Sequence, residues 1–456
     1  MKHAFTPIAA ALALAFTAAP LVAQEPAPGI IGKNGWLYYN HEFLEDAPGA
    51  AKAIDLVGRI NKQLVANGTQ VLVAMAPIKI RLYPENLPDN RKLTDSLKGQ
   101  YDAYMRQLAA AGVKTVDINK VLLNSPKRND RWPLYFRQDT HWAAPGALAA
   151  AEAIKGAVLA DPALKGAYDA TPVAPYTLVW SDKDWPMTGD LVQQLPKGSP
   201  AMPQEGIGAF SVTRGAQQGG GLLGNAPEVG ITLMGSSYTA DWTLFSAAVR
   251  YTLQRDTLAM SIAADQGQWV GLETYLREDA FQTNRPKLLI WEMPERDVKA
   301  GPSMPYREAR YVMDDTEWLL KASAWVQKSC AASANKVSID AASLGKGRAG
   351  ADVSAASTTP QDYVDLNFAQ PVDKLEYLSA RILDNGSKLV QAEASGPGVE
   401  PRKFTLNVAG DEGEHAFKTP LLSKGKGYTK LRLYPGASKG FALKGVQLCQ
   451  QPAGLI

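Results

Sequence analysis

The chain has 456 residues, with 48 Lys/Arg against 45 Asp/Glu and a net charge of +3. Its apolar and charged fractions, 46% and 20%, exclude a disordered chain, and the near-neutral balance lacks the electrostatic footprint of a nucleic-acid-binding protein. The length exceeds what one core usually serves, so two or more domains are expected.

Lys2 and His3 precede an Ala/Leu-rich run from Ala9 to Ala19. Residues 1–23 therefore read as a secretory signal, with an uncleaved N-terminal anchor as the alternative. No later stretch is long and apolar enough for a membrane helix, so a soluble, exported, periplasmic chain is expected. Asn34-Gly35, flanked by Trp36-Leu37-Tyr38-Tyr39, reads as a hairpin turn. Helical spacing over 49–67 leads to the apolar run 71–76, which ends at Pro77 and reads as a buried parallel strand. A helix over 99–112, a strand over 113–118 and a helix over 145–159 with Pro145 in its first turn follow. Residues 180–227 are rich in Gly, Pro and Gln and read as loops. A third strand (229–234), a helix (about 241–253) and a fourth strand (287–291) complete an α/β pattern with a parallel sheet.

Past residue 330 the composition shifts. Short alternating runs at 363–368, 403–408, 428–434 and 441–448, separated by turn residues, indicate a β-sandwich. The expected division is a signal at 1–23, an α/β domain over 24–325 and a β-module over 326–456. The two cysteines, Cys330 and Cys449, bracket that module and read as one disulfide in an oxidising compartment, worth at most roughly 4–5 kcal/mol by chain entropy. Between Arg402 and Ile456 nine Lys/Arg face three Asp/Glu, which suggests a polyanionic ligand or a solvated basic face. Period two puts Lys403, Thr405 and Asn407 on one face, and likewise Tyr428, Lys430, Arg432 and Tyr434. Cations beside aromatics suit a uronate polymer, since Lys and Arg pair with carboxylates and Tyr stacks on sugar faces. Lys79 and Arg81 suit the same role near the active site, and structural ion pairs would explain them equally.

Of four histidines, at 3, 41, 141 and 415, only His141 has a carboxylate two residues away, Asp139, at the mouth of a predicted helix. A carboxylate partner holds an imidazole in one tautomer, ready to take a proton from a hydroxyl. Gly235-Ser236-Ser237-Tyr238 follows the third strand, where such folds bind ligands. Backbone N–H groups around Gly235 and Tyr238, opening the next helix, would stabilise an oxyanion. Helix capping is the commoner role of a Gly-Ser-Ser turn, and Ser236 and Ser237 are not separable on these grounds. No further His cluster or thiolate pair supports a metal site, and no cofactor is implied.

Five stretches, Gly32–Tyr38, Pro77–Pro84, Asp139–Trp142, Gly235–Tyr238 and Trp291–Arg296, together resemble the ordered motifs of the periplasmic alginate O-acetyltransferases of the AlgX and AlgJ type. The resemblance implies an SGNH-hydrolase-like parallel-sheet domain with Asp and His upstream of Ser. It assigns Ser237 as nucleophile, His141 as base and Asp139 as orienting acid. It further implies a C-terminal carbohydrate-binding module of the AlgX type, in which a Lys-x-Thr-x-aromatic strand contacts the polymer. Lys403 and Thr405 match that strand, and Asn407 stands where an aromatic is expected. The implied partners are an anionic polysaccharide acceptor, a membrane-bound acyltransferase that delivers acetyl groups, and proteins of an export complex. A secreted carbohydrate acetyl esterase and a non-catalytic polysaccharide-binding scaffold are the competing readings.

Overall fold

The computed structural model describes residues 29–215, 229–262, 267–303, 311–344, 348–349, 352–384, 389–407, 413–423 and 426–456. The expected signal segment lies outside them. Among the described residues no helix is long and apolar enough to cross a membrane.

Five parallel strands form the central sheet, in the order Thr257–Ser261, Ile231–Gly235, Leu288–Pro294, Gln70–Ala76, Lys114–Val116. Alternate residues of one strand serve different cores. Leu72 and Ala74 face the helices Ala144–Ala160 and Phe245–Leu253, whereas Val71, Val73 and Met75 face Ala47–Ala66, Asp95–Ala110, Gly267–Arg277 and Asp315–Val326. Burial on both faces is why the three central strands read as largely apolar runs, whereas the edge strands Thr257–Ser261 and Lys114–Val116 are partly open. Each fully buried Leu or Ile contributes about 1.5–3 kcal/mol. Local chemistry fixes the helix starts: Asp46 Oδ1 accepts the Gly49 N–H at 2.9 Å, and Thr94 Oγ1 accepts the Leu97 N–H at 3.1 Å.

The hairpin forms as expected, Gly29–Ile31 against Leu37–Tyr39, with Asn34 and Gly35 at φ 54° and 76°. Two expectations need correction. The stretch read as loops carries two antiparallel ladders, Tyr176–Trp180 with Phe210–Arg214 and Trp185–Met187 with Glu205–Ile207. These strands are short and largely solvent-facing, so they give no apolar pattern, and Pro186 sits in one of them. Residues 216–227 of that stretch lie outside the described residues. The helix expected from 241 starts later: a 3₁₀ turn over Asp241–Thr243 ends at Leu244, φ 61°, and the helix proper is Phe245–Leu253.

The C-terminal region is a β-sandwich of two five-stranded sheets closed over a shared apolar core, among them Leu366, Ile382, Leu431 and Leu443. Cys330 and Cys449 are bridged. The sandwich packs on the helix Asp315–Val326 through Gln451, which accepts from Ser323 Oγ at 2.9 Å and donates to the Leu320 carbonyl at 2.7 Å.

Candidate active site

The strands Gln70–Ala76, Leu288–Pro294 and Ile231–Gly235 are neighbours, so their C-terminal tips bring residues 77–81, 292–296 and 236–239 together. The loop between the bridged pair Tyr135 and Trp142 crosses above them. On that loop Asp139 Oδ1 lies 2.6 Å from His141 Nδ1 and also accepts the His141 backbone N–H at 3.0 Å. His141 Nε2 lies 2.7 Å from Ser237 Oγ. With Nδ1–H donating to the carboxylate, Nε2 is left to accept the serine hydroxyl. Burial alone would raise the Asp139 carboxyl. The His141 hydrogen bond and charge, with backbone N–H groups of Asp190 and His141, instead hold it well below the usual carboxylate range.

The two serines separate here. Ser236 Oγ donates to Glu292 at 2.9 Å, and Ser237 Oγ faces the imidazole. The oxyanion expectation needs correction. The Tyr238 N–H is taken by Ser236 Oγ at 3.1 Å and the Ser236 N–H by Glu292 Oε2 at 2.7 Å. The turn after the serine is a 3₁₀ turn that caps itself, so Tyr238 offers no open donor. Among the described residues only the Ser237 N–H of this turn is left without a partner. Gly235 matters for space: a Cβ there would collide with Thr239 Oγ1 and Glu292 Oε2. Tyr238 acts through its phenol, which donates to the Thr140 carbonyl at 2.6 Å and accepts from Arg296 Nη1 at 2.9 Å.

Lys79 and Arg81 are corrected as well. Lys79 is 1% exposed and donates to the carbonyls of Phe136, Arg137 and Asp139 at 3.0, 3.0 and 2.8 Å. Its three protons are spent on the loop that carries Asp139 and His141, so none faces a sugar. Arg81 is buried against Leu97 and Asn119 and forms a two-pronged pair with Glu295, whose Oε2 lies 2.7 Å from Nη1.

Several supporting residues escaped the sequence reading. Glu205 accepts the N–H groups of Arg137 and Gln138 at 2.8 and 3.2 Å. Asp190 accepts Thr140 N–H and Oγ1–H, both at 2.8 Å, and lies 4.0 Å from His141 Nδ1. Burial and the charge of Asp139 raise its carboxyl. Asp139, His141 and Asp190 bring potential metal-ligand atoms within 4.8 Å of one another, yet the two carboxylates already accept protein N–H or O–H groups and the imidazole is held between Asp139 and Ser237. Glu292 is fully buried, and burial pushes its carboxyl up to about 7 against its hydrogen bonds to Ser236 and Thr239. Its sequence signal was present: a charged pattern at the tip of an apolar strand, 288–294. Asp190 sits in a stretch with no pattern and left none.

On the β-module Lys403 is open to solvent, with Glu393 at 3.7 Å, and Thr405 Oγ1 reaches Gln391 at 3.4 Å. Lys430 and Arg432 are half-buried and share Asp365, each at 2.7 Å, and Arg432 lies over the Tyr363 ring at 3.8 Å. Tyr428 is buried, its hydroxyl donating to the Glu400 carbonyl at 3.1 Å, because it precedes the strand Lys430–Tyr434 and is outside its alternation. The Asn407 side chain lies outside the described residues.

A hydroxyl, an imidazole and a carboxylate in hydrogen-bonded series, at the strand tips of a parallel α/β sheet, make an arrangement suited to nucleophilic acyl chemistry. Residues 30–295 match the sequence model of the family described as "SGNH hydrolase-like domain, acetyltransferase AlgX", and the chain belongs to that family. It is similar to the "Probable alginate O-acetylase AlgJ" of Pseudomonas aeruginosa, 29% identical over 68% of this chain and 80% of the relative. It is also similar to the "Alginate biosynthesis protein AlgX" of Pseudomonas putida, 28% identical over 56% of this chain and 54% of the relative. Among solved structures, AlgX of Pseudomonas aeruginosa aligns over 93% of this chain and 94% of its own, at TM-score 0.63 and 16% identity. The O-acetyltransferase domain of Pseudomonas putida AlgJ aligns over 62% and 97%, at TM-score 0.52 and 22% identity. The fold likeness to AlgX thus extends through the β-sandwich.

Proposed function

We propose that this chain transfers acetyl groups onto hydroxyls of an anionic exopolysaccharide, alginate or a similar polyuronate, in the periplasm, by way of an acetyl-Ser237 intermediate. The observation that carries the reading is the Asp139–His141–Ser237 chain. In the first step His141 Nε2 takes the Ser237 proton as Oγ attacks the donor carbonyl carbon. Asp139 stays ionised and stabilises the imidazolium, and the Ser237 N–H faces the developing oxyanion. Collapse expels the donor's leaving group, which takes the proton from His141. In the second step His141 removes the proton of a sugar hydroxyl, whose oxygen attacks the acetyl-serine carbonyl. Ser237 then leaves and recovers that proton.

The β-module holds the polymer in this reading, through exposed Lys403 with Thr405. The surplus charge of Lys430 and Arg432 over their single Asp365 favours the same ligand. Support also comes from the junction of the two units. There a cleft of about 150 Å³ holds the pairs Lys321–Glu273 and Arg402–Glu317, Lys418 bound to Gln282 and the Gln327 carbonyl, and Arg277 in surplus, and that surplus guanidinium suits a polyanion.

The test incubates the protein with a chromogenic acetyl ester, with and without an alginate oligosaccharide. Intact protein is expected to gain the mass of one acetyl group on Ser237, and the oligosaccharide is expected to become acetylated. Ser237→Ala should fold and do neither. Acetate as the sole product in the presence of acceptor would make the protein an esterase. Normal transfer by Ser237→Ala would end the proposal.

A further inference from the structure

Trp242 is 48% exposed, whereas the tryptophans at 142, 291 and 318 are sealed in the cores. Single exposed apolar residues need no explanation in themselves. The position of this one does. It lies five residues past Ser237, and its ring centroid is 4.9 Å from that of His141, edge to face at 80°. Phe136 stacks beside it at 6.1 Å and 24°. The backbone beneath it is pinned, since Thr243 Oγ1 donates to the Tyr238 and Ala240 carbonyls at 2.8 Å each and the Leu244 N–H closes on Asp241. The indole is therefore held in place before any ligand arrives.

An acceptor hydroxyl has to come within hydrogen-bond reach of His141 Nε2, 2.7 Å from Ser237 Oγ, and so within a few ångströms of this indole. We propose that Trp242 forms the wall of an acceptor subsite that takes a pyranose ring by its C–H face. The inference rests on the transfer reading and deepens it. The face of an indole is apolar and electron-rich, and the ring hydrogens of a pyranose are apolar and electron-poor. A water molecule gains nothing from such a wall. A sugar ring seated on it displaces water from the acetyl-serine and presents a hydroxyl to the imidazole. Trp242 thus biases the intermediate toward transfer and away from hydrolysis.

Full-length Trp242→Ala and Trp242→Phe are compared with wild type in two reactions: hydrolysis of a small acetyl ester, and transfer to an alginate oligosaccharide. In Trp242→Ala, transfer is expected to fall on the order of tenfold further than hydrolysis, with the change in acceptor KM. Trp242→Phe should recover part of the loss. Parallel losses in both reactions would mean that the ring only shields His141 and would overturn the subsite. A binding arm keeps this result separate from the transfer mechanism: the oligosaccharide is titrated calorimetrically into Ser237→Ala with and without Trp242→Ala. Weaker binding without the indole supports the subsite even if no transfer occurs. Equal binding, with an unchanged acceptor KM where transfer is seen, refutes it.

Discussion

Lys79→Met separates two readings of one cation. As a sugar contact, Lys79 would matter for the acceptor and little for the fold. As the structure has it, its ammonium caps three carbonyls of the loop carrying Asp139 and His141. Methionine keeps the stem and removes every donor. Each buried carbonyl left without a partner costs about 1–3 kcal/mol. The attraction to Glu42, Asp139, Glu205 and Asp190 is lost as well. Burial works the other way: it pulls the ammonium down to about 8, so removing the charge returns part of the cost. A net loss of roughly 2–5 kcal/mol remains once relaxation is allowed for. At about 2–4 °C per kcal/mol for a domain of this order, Tm should fall by roughly 5–15 °C. The loop also places the imidazole, and a displacement of about 1 Å at a reacting group costs on the order of a hundredfold. Turnover of a small acetyl ester should therefore fall by about ten- to a hundredfold below the new Tm, with little change in KM. Thermal unfolding and ester kinetics measure both. An unchanged Tm with a raised KM for the oligosaccharide would refute the reasoning and return Lys79 to the substrate.

Glu292→Gln is expected to flatten the pH dependence of stability. Its native carboxyl titrates near 7 rather than the ordinary 4.5, so the folded state holds a proton that the unfolded chain releases. The contribution is most favourable below about 4.5 and is lost as pH rises to about 7, a change of roughly 3 kcal/mol. Urea unfolding at pH 5 and pH 8 should show that difference shrinking in the variant, and identical slopes in the two proteins would contradict the assignment. Cys330→Ser with Cys449→Ser opens a link between residues 119 apart, worth up to about 4–5 kcal/mol by chain entropy. Calorimetry should show the sandwich melting earlier while ester hydrolysis at Ser237 persists, and an unaltered melting profile would count against a stabilising role.

What the sequence discloses follows from how many faces of an element are buried. The strands at 70–76, 231–235 and 288–294 are covered on both sides, so each appears as a largely apolar run, interrupted by Thr232 in the second and Glu292 in the third. Lys430–Tyr434 alternates because one face meets the sandwich core and the other is half open. The ladders within 176–214 are half-exposed and short, so turn-rich composition hides them. The late start of the helix at Phe245 depends on a left-handed Leu244, a conformation with no local signal at leucine. Charge deceives in another way. Lys79 and Arg81 read as ligands for an anion because a cation at a strand tip suits either role. The sequence does not reveal that the carbonyls of 136, 137 and 139 arrive from a distant loop to use the first, or that Glu295 arrives to use the second.

That arrival explains why the separate motifs belong together. Arg296 holds the Tyr238 phenol, which holds the Thr140 carbonyl beside the base. Glu292 holds Ser236, which holds the N–H of Tyr238. Lys79 and Glu205 hold the remaining carbonyls and N–H groups of the base loop. Buried charge of this density is a poor source of stability, because desolvation offsets most of the attraction. Its effect is positional. Apart from the Ser237 N–H, the polar groups named here are each fixed by a second group from a distant segment, so the hydroxyl and imidazole meet at 2.7 Å without support from bound substrate. On the proposed transfer reading, a site assembled in advance leaves the binding energy of the acceptor free to orient the sugar. An enzyme that must prefer a sugar hydroxyl to water depends on that orientation.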